Sequence, residues 1–169
     1  VLELIGRWND CESVYEEAVR IAEDFREPLI LGRAVNAVGH LNMLQGKYSI
    51  ARKQLENAVS VFESLEDEFG ISKVYGDLGN LYFRQGEYEE AKSYFTKSIR
   101  IGRQFPYSYT QAQIVANLGL AFMNQGKYEE GIRWQKEQLE RTERKKDKQG
   151  MATLFTNMGI VYFEKGDYD

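Results

Sequence analysis

The sequence predicts an all-α solenoid, a stack of antiparallel helix pairs with about eight helices. Three observations support this fold class. Glycines recur every 40 residues, the apolar residues around them recur at the three- and four-residue spacing of one helix face, and only 2 prolines occur among 169 residues. A fixed period of this length is typical of architectures in which each repeat is one supersecondary unit.

The repeat is marked by a glycine followed two residues later by an aromatic residue. The pairs are Gly6 with Trp8, Gly46 with Tyr48, Gly86 with Tyr88, Gly126 with Tyr128, and Gly166 with Tyr168. We expect each glycine to adopt a left-handed conformation that ends one helix, because glycine has no Cβ to oppose it. The aromatic residue is then expected to anchor the start of the next helix.

Two further series of small residues keep the same period. Their members are Gly39, Gly79, Gly119 and Gly159 before the turns, and Cys11, Ala51, Ala91 and Gly131 after them. Both series are expected where two antiparallel helices approach closely. Cys11, the only cysteine, is therefore predicted to be a buried free thiol, and it suits a reducing, cytoplasmic compartment.

The phase of the repeat assigns the elements in chain order. Residues 1–27 are expected to hold the second helix of a truncated repeat, beginning near Trp8; three full hairpins follow at 28–68, 69–107 and 108–148; and 149–169 hold the first helix of another truncated repeat. Neither end shows the polar cap of a natural solenoid. We therefore expect residues 1–169 to be a single solenoid fragment of a longer protein.

Composition argues against several functional classes. The 22 basic and 26 acidic residues give a net charge of −4, without the basic block of a nucleic-acid-binding protein. No apolar run approaches the roughly 20 residues that span a membrane. With a single histidine and no phosphate-binding or nucleophile motif, we expect no metal, no cofactor and no enzymatic activity.

The residues of the second repeat resemble the tetratricopeptide repeat family. The matching residues are Tyr75, Leu78, Gly79, Tyr82, Gly86, Tyr88, Ala91 and Phe95. The 40-residue period is longer than the usual period of about 34. This length is similar to that of cell-polarity scaffolds of the Pins type and of many bacterial signalling proteins.

The resemblance implies a protein–protein interaction module that binds a peptide or a partner helix in a concave groove lined by the first helices. The groove residues are expected on the stripe of the first helices that remains once their packed stripe is assigned, and they are Arg33, Asn36, His40, Lys73, Asn80, Phe83, Arg84, Asn117, Leu120, Asn124, Asn157 and Ile160. The N-terminal half of this stripe is basic and the C-terminal half is more apolar. We therefore expect an acidic partner with apolar anchors, in a signalling or scaffold protein.

Family comparison also disfavours one class of partner and leaves two alternative functions open. The lysines of the chaperone-binding carboxylate clamp are replaced by Asn36, Gly76 and Ala116, which disfavours heat-shock-protein tails. The alternatives are a ligand-sensing domain of a bacterial signalling enzyme or transcription regulator, and self-association into a homo-oligomer through the uncapped ends.

The third repeat departs from the pattern in its second helix. Gln135 and Gln138 stand where the earlier repeats have apolar or small residues. Either Trp134 takes over the packing, or this helix forms a flexible joint.

Overall fold

A computed structural model describes the backbone of residues 2–105 and 108–166 and the side chains of residues 8–105 and 111–166. Across these ranges the chain forms eight α-helices, as the repeat predicts. They are α1 (Leu2–Asp24), α2 (Pro28–Leu44), α3 (Tyr48–Ser64), α4 (Glu68–Gln85), α5 (Tyr88–Gly102), α6 (Ser108–Met123), α7 (Tyr128–Arg144) and α8 (Lys148–Lys165).

The helices group into two compact units, residues 1–77 and 78–169, with the boundary inside α4. In the first unit, α2 packs against both α1 and α3. In the second unit, α6 packs against α5, α7 and α8, and α7 also packs against α8. Each unit therefore repeats the helix-on-helix layering of a solenoid.

The turn glycines adopt the conformation predicted for them, with one exception. Gly46, Gly86, Gly126 and Gly166 have φ between 72° and 81° and stand one to three residues after the last residue of a helix. The prediction is wrong at Gly6, which lies inside α1 because that helix begins at Leu2. Tyr168 lies outside the described residues.

A second set of turns, from second helices into first helices, uses left-handed residues that are not glycine. Arg26, Glu66 and Lys146 have φ of 54°, 53° and 56° and are again separated by multiples of 40 residues. Two of these turns continue into an aspartate cap. Asp67 Oδ1 accepts a hydrogen bond from the Gly70 amide, and Asp147 Oδ1 accepts one from the Gly150 amide, each at 3.0 Å.

The core of the first unit forms around glycines that make room for large side chains. A Cβ on Gly39 would lie 2.9 Å from the Leu55 side chain, and a Cβ on Gly32 would lie 3.0 Å from the Phe62 ring. Leu55, Phe62 and Ala51 are buried. The glycine series therefore accommodates a large residue of the facing helix at these positions.

Cys11 does not occupy the buried position that the period predicted. It is exposed, although the equivalent Ala51 is fully buried against the first helix of its own hairpin. The difference arises because α1 packs against α2, while no described helix precedes α1.

The second unit repeats the same packing with different side chains. The Phe95 ring fills the space beside Gly79, and the Gln135 amide fills the equivalent space beside Gly119. Gln135 is fully buried, so this residue itself fills the position rather than Trp134. Gly131 allows the two backbones to meet, because a Cβ there would lie 2.9 Å from the Gly119 carbonyl oxygen.

Candidate peptide-binding cleft

A cleft of about 350 Å³ opens on the first unit between α1, α2 and α4. Four of the predicted groove residues meet here. The lining residues are Cys11, Tyr15, Arg33, Asn36, Ala37, His40, Leu41, Leu44, Lys73 and Asp77.

Asp77 joins α4 to α2 at this cleft. One carboxylate oxygen accepts a hydrogen bond from Asn36 Nδ2 at 3.1 Å, and the other lies 3.2 Å from His40 Nδ1. Asn36 is only 5% exposed, and its Oδ1 has no hydrogen-bond partner among the described residues. Asn36 therefore serves mainly to hold two helices together.

Two cations, Arg33 and Lys73, flank this pair. Arg33 precedes Ala37 by one turn on α2, and Lys73 precedes Asp77 by one turn on α4. Both side chains are exposed, and neither forms an ion pair with a residue that the structure describes. The two cations therefore lie beside Asp77 without pairing with it.

The remaining wall is apolar, and its α1 residues are ones that the sequence pattern did not select for the site. Tyr15 and Leu44 are exposed large side chains, and the Cys11 thiol lies on the same face of α1 as Tyr15. Tyr15 was missed because α1 was expected to be packed there. No sequence pattern marks a residue on the exposed face of α1 as part of the wall of a cleft.

The other predicted groove residues lie on the second unit, where two of them bond to each other. Asn117 Nδ2 donates to Asn80 Oδ1 at 2.7 Å, and Gln113 Nε2 donates to Asn117 Oδ1 at 3.0 Å. Asn80 and Asn117 are the 40-residue equivalents of His40 and Asp77. The two units thus use the same polar bridge between successive first helices.

This bridge has no counterpart one repeat later. The equivalent residues are Leu120, whose side chain cannot hydrogen-bond, and Asn157, whose Nδ2 donates to the Thr153 carbonyl of its own helix at 2.9 Å. Asn157 and Ile160 both lie on α8, where Ile160 is exposed. The position that carries a polar side chain on α2 and α4 is therefore apolar on α6 and α8, where it holds Leu120 and Ile160.

Phe83, Arg84 and Asn124 lie near the ends of the first helices. The Phe83 ring meets the Tyr88 ring edge-on at 5.6 Å, and the Tyr88 hydroxyl donates to Asn124 Oδ1 at 3.3 Å. Arg84 is exposed. These contacts fix the start of α5 against the end of α4, which is the anchoring role expected for the aromatic of each repeat.

A further charged cluster lies at the start of α5. Glu89 Oε1 accepts hydrogen bonds from Lys92 Nζ at 2.8 Å and Gln125 Nε2 at 2.9 Å. The hydrogen bond from Lys92, followed by the one from Gln125, lowers the pKa of Glu89 below its ordinary value. Lys92 Nζ also lies 4.9 Å from the centre of the Phe122 ring, so the cluster ties α5 to α6.

The described residues hold neither a metal-binding cluster nor a membrane-spanning helix. No group of three or more His, Cys, Asp or Glu side chains there is placed to hold a metal ion. None of the helices in that part of the chain is long and apolar enough to cross a membrane.

Comparisons with known proteins identify the repeat. The tetratricopeptide repeat profile matches residues 30–104 and 110–169. No curated protein matches the chain. The crystal structure of BtubC (BKLC) from P. vanneervenii superposes with a TM-score of 0.81 at 19% identity, covering 98% of this chain and 69% of that one.

A second solved structure leads to the same fold. A Podosopora anserina protein, described as a kinesin light chain with nearly identical TPR-like repeats, superposes with a TM-score of 0.75 at 13% identity. The alignment covers 98% of this chain and 82% of that one. This superposition shows the same fold, and the profile match over most of its residues shows that the chain belongs to the tetratricopeptide repeat family.

Proposed function

We infer that the chain is a non-catalytic protein-interaction module that binds an acidic peptide segment in the cleft of the first unit. The tetratricopeptide repeat fold generally mediates protein–protein interaction, and this chain belongs to that family. The module would serve a cytoplasmic signalling or scaffold protein. Arg33 and Lys73 bind carboxylates, while Tyr15 and Leu44 contact an apolar side chain of the same peptide.

The observation that supports this proposal most directly is the pairing state of the charges at the cleft. Asp77 accepts from Asn36 and lies within hydrogen-bond distance of His40, whereas Arg33 and Lys73 have no carboxylate partner among the described residues. A guanidinium binds a carboxylate through two parallel hydrogen bonds, and an ammonium binds it as a compact charge. The two helices thus present two different carboxylate-binding groups, each one turn from Asp77 or its bonded neighbours.

The apolar wall explains why the expected ligand is a peptide rather than a small anion. Tyr15 and Leu44 expose apolar surface within the same cleft as the cations. A segment that alternates acidic and large apolar residues would satisfy both parts. A free carboxylate would leave the apolar part in water and gain nothing from it.

The test is fluorescence anisotropy with labelled short peptides that alternate Glu with Leu or Phe. The variant Arg33→Glu with Lys73→Glu should weaken binding by about tenfold or more, because two attractive charges become repulsive. The matched control is Lys53→Glu with Lys148→Glu, two exposed cations outside the cleft. It makes the same change in net charge and should leave affinity within about twofold.

Two outcomes would contradict the proposal. One is binding that survives the reversal at Arg33 and Lys73. The other is an equal loss in the control, which would mean that net charge rather than the cleft determines binding. Peptides with Gln in place of Glu provide the corresponding control on the ligand, and they should bind more weakly to the unmodified chain.

A further inference from the structure

The polar bridge between successive first helices occurs in two chemical forms. In the second unit it is an amide pair, because Asn117 Nδ2 donates to Asn80 Oδ1 at 2.7 Å. At the equivalent positions of the first unit, one repeat earlier, His40 Nδ1 lies 3.2 Å from Asp77 Oδ1. The same place in the fold therefore holds a pair that does not titrate in one unit and a histidine–carboxylate pair in the other.

His40 is the only histidine of the chain, and it lines the candidate cleft. Its side chain is 44% exposed, whereas the Asp77 side chain is 14% exposed. An ionised carboxylate can only accept a hydrogen bond, so the neutral imidazole carries its proton on Nδ1 and donates it to Asp77. A second proton adds at Nε2, and the imidazolium keeps the bond to Asp77 while it gains a unit charge.

The net charge of the cleft depends on this protonation. The charged groups that line it with His40 are Arg33 on the same helix and Lys73 and Asp77 on α4. From α1 the lining includes a thiol and a phenol, which are ordinarily uncharged at neutral pH and below. While His40 is neutral, two positive charges and one negative charge give the lining a net charge of +1, and protonation raises it to +2.

We propose that His40 regulates the cleft by pH, so that protonation of its imidazole strengthens the binding of an acidic peptide. This inference rests on the proposed function and adds a regulating residue to it. Peptide carboxylates ordinarily stay ionised down to about pH 5.5, so above that pH the charge of the cleft changes while that of the peptide does not. Binding therefore strengthens as the pH falls through the ordinary histidine range, near about pH 6.5.

Asp77 contributes to this regulation in two ways. Asn36 Nδ2 donates to its other carboxylate oxygen at 3.1 Å, so the carboxylate is held from both sides. Its negative charge offsets one of the two permanent cations, Arg33 and Lys73, which keeps the cleft weakly charged while His40 is neutral. The carboxylate also holds the imidazole at the cleft in both protonation states, because it accepts from Nδ1 in each.

The first test measures affinity as a function of pH. Labelled peptides that alternate Glu with Leu, with capped termini and no histidine, are titrated by fluorescence anisotropy from about pH 7.5 to about pH 5.5. One added unit charge in the cleft should tighten binding by about three- to tenfold over this range. His40→Asn should bind equally at every pH, at the level of the unmodified chain near pH 7.5, since its amide does not titrate and the fold already holds asparagine at position 80.

A double variant separates the charge of the cleft from its titration. His40→Asn with Asp77→Asn copies the Asn80–Asn117 bridge that the second unit already forms. The lining then has a net charge of +2 at every pH, so binding near pH 7.5 should be within about twofold of the unmodified chain near pH 5.5. The matched control is His40→Asn with Glu56→Gln, which removes an exposed carboxylate of α3 outside the cleft and should behave as His40→Asn alone.

The second test observes the imidazole itself. Because His40 is the only histidine, its ring gives the only histidine C2–H signal in a proton NMR spectrum. A peptide that binds the protonated form more tightly must raise the pKa of His40 by the logarithm of the same affinity ratio. A three- to tenfold ratio should therefore raise that pKa by about 0.5 to 1 when the peptide is bound.

Three results would overturn the proposal, and they have different meanings. Equal binding at both ends of the pH range, with no change in the His40 pKa on adding peptide, removes the regulation and leaves the proposed function standing. A pH dependence that persists in His40→Asn belongs to another group. Absence of peptide binding at every pH overturns the proposed function itself, and the regulation by His40 falls with it.

Discussion

The ring of Phe95 occupies the space that a side chain on Gly79 would need. Leu55 stands in the same relationship to Gly39, at 2.9 Å from the position of an added Cβ. The glycine and the large residue on the facing helix therefore form one packing unit, and the distance between the two helices depends on both.

Gly79→Ala should destabilise the chain by about 1–3 kcal/mol, because the new methyl group overlaps a fully buried ring that cannot move into solvent. Gly159→Ala is the matched control. It meets no neighbour, so the better helix propensity of alanine should stabilise the chain by up to about 1 kcal/mol. Urea unfolding at low chain concentration measures both. Equal effects at the two glycines would show that packing against the facing helix does not matter.

The two kinds of turn predict a second pair of opposite effects. Lys146 adopts a left-handed conformation with φ of 56°, where a Cβ is unfavourable, so Lys146→Gly should stabilise the chain by up to about 1 kcal/mol. Gly126 has φ of 72° and open space around it, so Gly126→Ala should cost about 1 kcal/mol through backbone strain alone. Thermal unfolding of both variants checks the signs. A loss of stability in Lys146→Gly would mean that the lysine side chain outweighs the strain.

The sequence predicted those features that depend on local conformation or on the period. The eight helices and the turns at Gly46, Gly86 and Gly126 belong to this group. Gly6 was assigned wrongly because glycine permits a turn without requiring one, and α1 continues through it at a propensity cost of about 1 kcal/mol.

The candidate cleft was predictable only in part. Arg33 and Lys73 followed from the helical spacing of the exposed stripe. The bond between Asn36 and Asp77 and the exposure of Cys11 and Tyr15 depend on which helices are neighbours in space, and spacing along one helix does not contain this information. Asp77 lies on the same stripe of the first helices, one turn from Lys73 and one repeat before Asn117, but the stripe did not indicate that it bonds to α2.

The cluster at the start of α5 predicts a dependence on pH. Because the pKa of Glu89 is lowered in the folded chain, its contribution to stability is present above the ordinary range of a glutamate and is lost as pH falls through the lowered pKa. Glu89→Gln should therefore be less stable than the unmodified chain near neutral pH, and the difference should shrink between about pH 6 and pH 3.

The effect should be small, because Glu89 is exposed to solvent and its ion pairs are screened. Glu90→Gln is the control, since Glu90 is exposed and forms no ion pair with a described residue. Thermal unfolding over the pH range measures both variants. A difference that grows toward acid, or that is the same for Glu90→Gln, would contradict the role given to Lys92 and Gln125.

The last prediction concerns the polar residue in the core of the second unit. Gln135 is fully buried, its Nε2 donates to the Ala116 carbonyl at 3.3 Å, and its Oε1 has no hydrogen-bond partner among the described residues. A buried amide oxygen without a partner costs about 1–3 kcal/mol. Leu55 fills the equivalent space without that cost. Gln135→Leu should therefore stabilise the chain by about 1–2 kcal/mol, measured by urea unfolding.

The reverse exchange provides the control. Leu55→Gln should destabilise the first unit by about 2–5 kcal/mol, because it removes buried apolar surface and adds the same unsatisfied group. Hydrogen exchange should also be faster over residues 128–144 than over 88–102 in the unmodified chain, and Gln135→Leu should slow it. Equal protection of the two helices would remove the case for a flexible joint at α7. A loss of stability in Gln135→Leu would instead show that the bond to Ala116 outweighs the unpaired oxygen.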